Sequence, residues 1–164
     1  MLPPNVCVVY YSRSGTTRSV AETVAERFPS ATLTRIRPAV ERTYPNWLLR
    51  SAIPGSTARI EPIRTDLREY DAVFLGTPKW TLSCPPVTEF LRRAALEDLP
   101  TGVFLTYGGF DERRYLRRVV SKLRAKGADV RATLRVQRDA VGTPECDAGV
   151  SRFCDAVVRS DTGR

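Results

Sequence analysis

The sequence contains no histidine. No imidazole is on hand for general acid–base work, and no His-ligated metal site can form. No apolar run approaches the roughly 18–20 residues that a membrane helix needs. The first residues, Met-Leu-Pro-Pro-Asn, lack the basic start and cleavage site of a secretory signal. The four cysteines, Cys7, Cys84, Cys146 and Cys154, show no paired spacing. They read as reduced thiols of a cytoplasmic protein. Internal repeats and low-complexity tracts are also missing, and no side chain stands out as a general acid or base. The sequence therefore offers no catalytic residue and no metal site.

What is present fits one domain spanning residues 1–164, with a tail from Ser160 expected to fray. Hydrophobic residues make up 42% and charged residues 27%, the balance of an ordinary globular domain. The net charge is +8. A number of that size raises the question of nucleic acid. Much of the excess is local, however. Between Asp111 and Arg131 eight basic residues face three acidic ones, which leaves +5 of the +8 in one segment. One basic helix face suits a solvated surface first, docking of an acidic partner next, and nucleic acid last.

Apolar runs and helical periodicities alternate along the chain. Strands are expected at Val6–Tyr10, Ser30–Ile36, Asp71–Gly76, Gly102–Tyr107 and Val130–Val136. The stretch Ser30–Ile36 is the weakest and suits an edge. Helices are expected from Thr16 to about Phe28, after Pro85-Pro86, after Asp111-Glu112 and around Val150–Val157. Gly127 should stop the third of these. Between Arg37 and Arg68 the pattern loosens around five helix-breaking Pro and Gly positions, with a short helix expected at Asn46–Ile53. Its Trp47, Leu48, Leu49 and Ile53 could pack it onto the sheet, or the segment could border a ligand site. Strands separated by helices imply a parallel α/β sheet covered on both faces. Ligands of such sheets sit beyond the carboxyl ends of the strands.

Three loops lie at that edge. The first, Ser12-Arg13-Ser14-Gly15-Thr16-Thr17, places four hydroxyls in six residues between a strand and a helix. A plain helix cap needs one hydroxyl; four of them beside a helix start describe an anion cradle. It is not a Walker loop, because the Lys-Ser/Thr pair is missing, and not a dinucleotide fingerprint, because it has one glycine. Cys7 and Arg13 share the Cys-x5-Arg spacing of tyrosine-type phosphatases. Yet Val-Val-Tyr-Tyr after Cys7 reads as continuing strand, whereas that nucleophile must open a loop. A response-regulator receiver would need acidic residues after the first strand, where Tyr11, Ser12 and Arg13 stand. The second loop, Thr77-Pro78-Lys79-Trp80-Thr81 onward, carries a tryptophan that could lid the core or stack on a flat ligand. The third, Thr106-Tyr107-Gly108-Gly109-Phe110-Asp111, sets two glycines among aromatics, and Tyr107 or Phe110 could cover a ring. A phosphate at one loop and aromatic platforms at two others describe a phosphorylated planar heterocycle. FMN fits better than a nucleotide, because Arg35 and Arg37 stand where an acidic ribose anchor would follow the second strand.

At this point the chain resembles the flavodoxins. The resemblance rests on Ser12-x-Ser-Gly-Thr-Thr17, on Gly76-Thr-Pro-x-Trp80 with Pro85-Pro86 and Phe90-Leu91, and on Gly108-Gly109. It extends to Gly127-Ala-Asp-Val and Gly142-Thr-Pro144, so it covers nearly the whole chain. It implies a flavodoxin-like three-layer sandwich, a five-stranded parallel sheet in the order 2-1-3-4-5, and noncovalent FMN. By the same resemblance Ser12 to Thr17 hold the phosphate, Thr77 to Thr81 line one side of the ring, and Tyr107 to Asp111 line the other. The long insertion that splits the last strand in some flavodoxins is not expected here.

The resemblance implies electron transfer through the bound flavin to a redox protein partner. A basic chain suits an acidic partner docking near Arg113, Arg114 and Arg117. The alternative is an NAD(P)H-dependent FMN or quinone oxidoreductase on the same site; a third is an interaction module that has lost FMN. Carrier flavodoxins resemble one another in being acidic around the flavin, whereas Lys79 stands beside the expected ring here. A lysine about 6 Å from a negatively charged ring would stabilise it by roughly 2–3 kcal/mol at an effective dielectric near 20. The flavin should then be less strongly reducing than in acidic flavodoxins. Cys84, in a flavin-side loop, should be a packed neutral thiol.

Overall fold

The structure, a computed structural model, describes residues 2–159. The tail expected to fray from Ser160 lies outside the described residues. Strands β1 (Val6–Tyr10), β2 (Thr32–Arg35), β3 (Ala72–Pro78), β4 (Pro100–Tyr107) and β5 (Asp129–Gln137) form one sheet. Its order is β2-β1-β3-β4-β5, and every neighbouring pair runs parallel. Both the flavodoxin-like fold and the expected strand order are therefore present. The weak strand is an edge strand, as expected, and β5 runs unbroken.

Side chains alternate across the sheet because successive Cβ atoms point to opposite faces. Cys7, Val9 and Tyr11 join one core with Val73, Leu75, Val103 and Leu105. Val6, Val8 and Tyr10 join the other with Phe74 and Phe104. Helices α1 (Thr16–Glu26) and α5 (Pro144–Val158) cover the second face through Val20, Val24, Val150 and Phe153. The first face is covered by α2 (Tyr44–Ser51), α3 (Pro85–Arg93) and α4 (Glu112–Ala125), through Trp47, Phe90, Leu116 and Leu123. Pro85 and Pro86 open α3 where their missing N–H groups cost nothing. Gly127 takes φ +84° just past α4, a turn that L side chains resist.

The irregular segment behaves differently from part of its expectation. The helix there starts two residues earlier than its pattern suggested, at Tyr44, and Trp47 is fully buried. Leu49 and Ile53, however, are 72% and 57% exposed. A helix of two turns can offer the sheet only one narrow face, and Trp47 with Leu48 already fills it.

Two strand glycines make room for aromatic packing. A Cβ on Gly76 would fall inside the Phe104 ring, and one on Gly102 would press on Phe153 and Val157. Phe104 is fully buried and cannot swing aside. Gly76→Ala should therefore cost about 1–3 kcal/mol of stability. Urea denaturation reads the loss as a lower midpoint at unchanged slope.

Candidate functional site

The carboxyl ends of β1, β3 and β4 open onto a cavity of about 400 Å³. Ser12, Arg13, Ser14, Thr16 and Thr17 line it from the first loop. Pro78, Lys79 and Trp80 come from the second loop, and Thr106, Tyr107 and Gly108 from the third. The three loops singled out in the sequence thus meet at one place.

The first loop is folded by its own polar groups. Gly15 takes φ +96°, and its N–H donates to Ser12 Oγ at 3.0 Å. Arg35 on β2 donates to the Ser12 carbonyl at 2.9 Å, which fixes the loop from outside. Helix α1 then begins at Thr16 with Gly15 as its N-cap and no side-chain cap. Its first-turn N–H groups and positive dipole end are left without a side-chain acceptor. Neither Thr16 nor Thr17 acts as the plain cap. Instead Thr17 Oγ1 meets Thr106 Oγ1 at 2.7 Å in a buried contact that ties the first loop to β4. Ser14 and Thr16 keep their hydroxyls on the exposed side, 3.4 Å apart.

Charge around the cavity has one sign. Arg13, Lys79 and Arg138 line it, and among the described residues no carboxylate does. Arg13 lies over the Tyr44 ring, 5.0 Å from its centroid. Arg138 packs against the Gly108 backbone so closely that a Cβ there would come within 3.2 Å of its guanidinium. An uncapped helix start, small hydroxyls and three cations select an anionic ligand.

Trp80 lines the cavity yet is only 6% exposed. Its ring stacks on Trp47 at 5.6 Å between centroids and meets Tyr11 edge-on at 5.4 Å. The cause is Ser51, at the end of α2. Its hydroxyl accepts from Thr81 N–H at 3.1 Å, and its carbonyl accepts from Leu82 and Ser83 N–H at 2.9 and 3.1 Å. These bonds draw the second loop down onto α2 and seat Trp80 in the core. Lys79 N–H donates to the Thr106 carbonyl at 2.8 Å, joining the second loop to the third.

Several residues expected at the site stand off the cavity. Thr77 is fully buried beneath it, donating its hydroxyl to the Pro78 carbonyl. Thr81 turns toward Leu48 on α2. Gly15 shapes the turn without lining the cavity. Gly109 is exposed, Phe110 is 84% exposed with Lys79 Nζ 5.4 Å from its ring centre, and Asp111 serves as the left-handed N-cap of α4. The run of residues after Gly108 turns outward into α4, so only the first three positions of that loop reach inward.

Two lining residues escaped the sequence reading, Tyr44 and Arg138. Tyr44 lies one helical turn before Trp47, and that spacing signals a residue carried alongside the buried ring. Arg138 follows β5 immediately, which is where a fourth loop of the same sheet edge must lie. The segment 37–68 therefore does both things its sequence allowed: Trp47 packs on the core and Tyr44 borders the cavity.

Residues 5–109 match the family model described as Flavodoxin. The chain belongs to the flavodoxin family. The chain is 36% identical over 106 residues to an uncharacterized protein of Archaeoglobus fulgidus, across 65% of this chain and 68% of that one. Among solved structures, a flavoprotein from Lactobacillus acidophilus in complex with FMN aligns with TM-score 0.68 and 17% identity, over 92% of this chain and 98% of that one. Oxidised Flavodoxin 2 from Bacillus cereus aligns with TM-score 0.65 and 18% identity, over 93% and 97%. At such identities these structures show the shared flavodoxin fold.

Two buried thiols, one in each core of this flavodoxin, are inert. Burial pushes Cys84 up to about 12, and Cys154 likewise to about 12. Both are therefore neutral thiols at neutral pH, and the expected packed Cys84 is what stands there. A raised folded-state value means stability is whole below the ordinary value of 9.0 and falls as pH climbs toward 12. Each such thiol should remove about 1.4 kcal/mol per pH unit in that window. Urea midpoints measured from about pH 8 to about pH 11 should decline, and Cys84→Ala should make the decline shallower than in the parent. Equal slopes in the two proteins would contradict the assignment.

Proposed function

We propose that this flavodoxin binds FMN noncovalently and carries electrons to an acidic redox protein. One observation carries the reading: the uncapped start of α1 opens on a cavity lined, among the described residues, by hydroxyls and three cations with no carboxylate. The family membership and the FMN complex of the Lactobacillus acidophilus flavoprotein support it. The residues present fit the cofactor. Ser12, Ser14, Thr16 and Thr17, with the loop N–H groups and Arg13, would hold the phosphate. Pro78, Lys79 and Trp80 would border one side of the ring, and Thr106, Tyr107 and Gly108 the other. Tyr44 adds an aromatic face that α2 brings to the same cavity. Bound FMN supplies one- and two-electron chemistry that no side chain of this chain has.

The chain's own residues would orient the ring and set its electrostatics. Lys79 and Arg138 place positive charge where the acidic carriers resemble one another in placing carboxylates. Such charge favours the reduced, more negative form and raises the potential. For docking, α4 and β5 enclose an open groove of about 690 Å³ floored by Leu116 and Val120 and edged by Arg113, Arg117, Arg124 and Arg135. Arg135 is paired with Glu112 at 3.1 Å. Arg113, Arg114 and Arg117 are exposed and make no ion pair among the described residues. Acidic groups of a partner complement this surface. Four free cysteines suit a reducing, cytoplasmic setting.

Titration with FMN should quench its fluorescence. Ser14→Asp should weaken FMN about tenfold or more through charge repulsion, while riboflavin, which lacks the phosphate, binds as before. No quenching with the parent protein, or equal losses for both flavins, would refute the cradle.

In the FMN-loaded protein Lys79→Gln should lower the midpoint potential by tens of mV, on the order set by one partly screened charge near the ring. An unchanged potential would show that Lys79 does not act on the flavin. NADPH oxidation with a quinone should be negligible until a separate reductase is added; fast turnover by the protein alone would favour the oxidoreductase reading.

A further inference from the structure

A second cavity lies on the far side of α2. It encloses about 300 Å³ between α2 and the segment that returns from it. Val40, Ala58 and Trp47 give it apolar walls, and Arg42, Arg50 and Arg59 supply its charge. Among the described residues no carboxylate lines it. None of the three arginines forms an ion pair among the described residues; Arg50 is held in place by Asn46 Oδ1 at 3.1 Å. Arg42 lies over the Trp47 ring, 5.9 Å from its centroid.

A further feature singles this cavity out. The Trp47 indole N–H is buried and has no hydrogen-bond partner. An orphaned buried donor costs about 1–3 kcal/mol. A residue that is fully buried and otherwise well packed carries that cost here at the wall of a cationic cavity. Three unpaired guanidiniums in one place also repel one another. An anion relieves the repulsion. The apolar walls add a second requirement, since a bare, strongly hydrated anion would leave them wet.

We propose that this cavity binds a small aromatic carboxylate. The carboxylate faces Arg42, Arg50 and Arg59, and the ring lies against Val40, Ala58 and Trp47. Planar guanidiniums match carboxylate geometry and stack on aromatic faces, which suits both halves of such a ligand. The inference does not rest on the flavin reading, because the two cavities share no lining residue.

The chain has two tryptophans, so a nitrogen-correlated proton spectrum of the labelled protein should show two indole signals, assigned with Trp47→Phe. Benzoate should move the Trp47 signal saturably and leave the Trp80 signal nearly fixed. Benzyl alcohol and inorganic phosphate should not reproduce the shift. The double variant Arg42→Ala, Arg59→Ala should weaken benzoate about tenfold or more, and Arg59→Gln, which keeps the stem, should weaken it less. Three results would overturn the proposal: no response to benzoate, a phosphate response of equal strength, or benzoate binding untouched by both variants. Competition by FMN would also overturn it, because it would place benzoate in the first cavity.

Discussion

The Trp47–Trp80 stack is the contact on which both cavities depend. Helix α2 has eight residues, too few to persist alone. It must be held by tertiary packing, and Trp47 is its one fully buried large side chain. Burying a tryptophan is worth on the order of 5 kcal/mol by area, an upper figure before ordering costs. Ser51 completes the joint through three backbone N–H groups of the second loop. With α2 so fixed, Tyr44 turns to the first cavity while Arg42 and Arg50 turn to the second. A change at the stack would therefore reach both.

This joint also explains why the strongest aromatic signal of the sequence has a mixed role. A tryptophan in a loop beside an anion cradle suggests a stacking platform. Whether it faces ligand or core depends on what lies behind the loop. Here another tryptophan lies behind it, thirty-three positions earlier in the chain. Trp80 is accordingly seated between Trp47 and Tyr11, and the cavity takes an additional aromatic wall from Tyr44.

The sheet was legible because its signals are local. Continuous apolar runs marked β1, β3 and β4, and α3 and α4 announced their starts with Pro or an acidic residue. The hydroxyl cluster marked the cradle for the same reason, since all its parts lie within six residues. What escaped was set by distance in sequence. Tyr44 and Arg138 reach the cavity from α2 and from beyond β5. Leu49 and Ile53 looked like core because hydrophobicity says nothing of which way a two-turn helix is rotated. Thr77 and Thr81 were grouped with the ring because neighbours in a loop share a motif. In space the backbone sends one beneath the cavity and the other toward α2.

Electrostatics joins these observations into one argument. Among the described residues both cavities are cationic and without a lining carboxylate, and the groove on α4 is edged by arginines. Acidic residues are not scarce in the chain, and several are paired elsewhere. Glu89 holds Arg92 and Arg93, Asp66 holds Arg68, and Glu112 holds Arg135. The arginine of Arg92 lowers the Glu89 carboxyl below its ordinary value chiefly by hydrogen bonding. Paired charges of this kind cancel at long range, so the field beyond the surface is set by the cations left over. Several of those left over line concave sites, where low-dielectric walls strengthen them. Among the described residues it is therefore cations that line both concavities and the α4 groove, and the field at these places is positive.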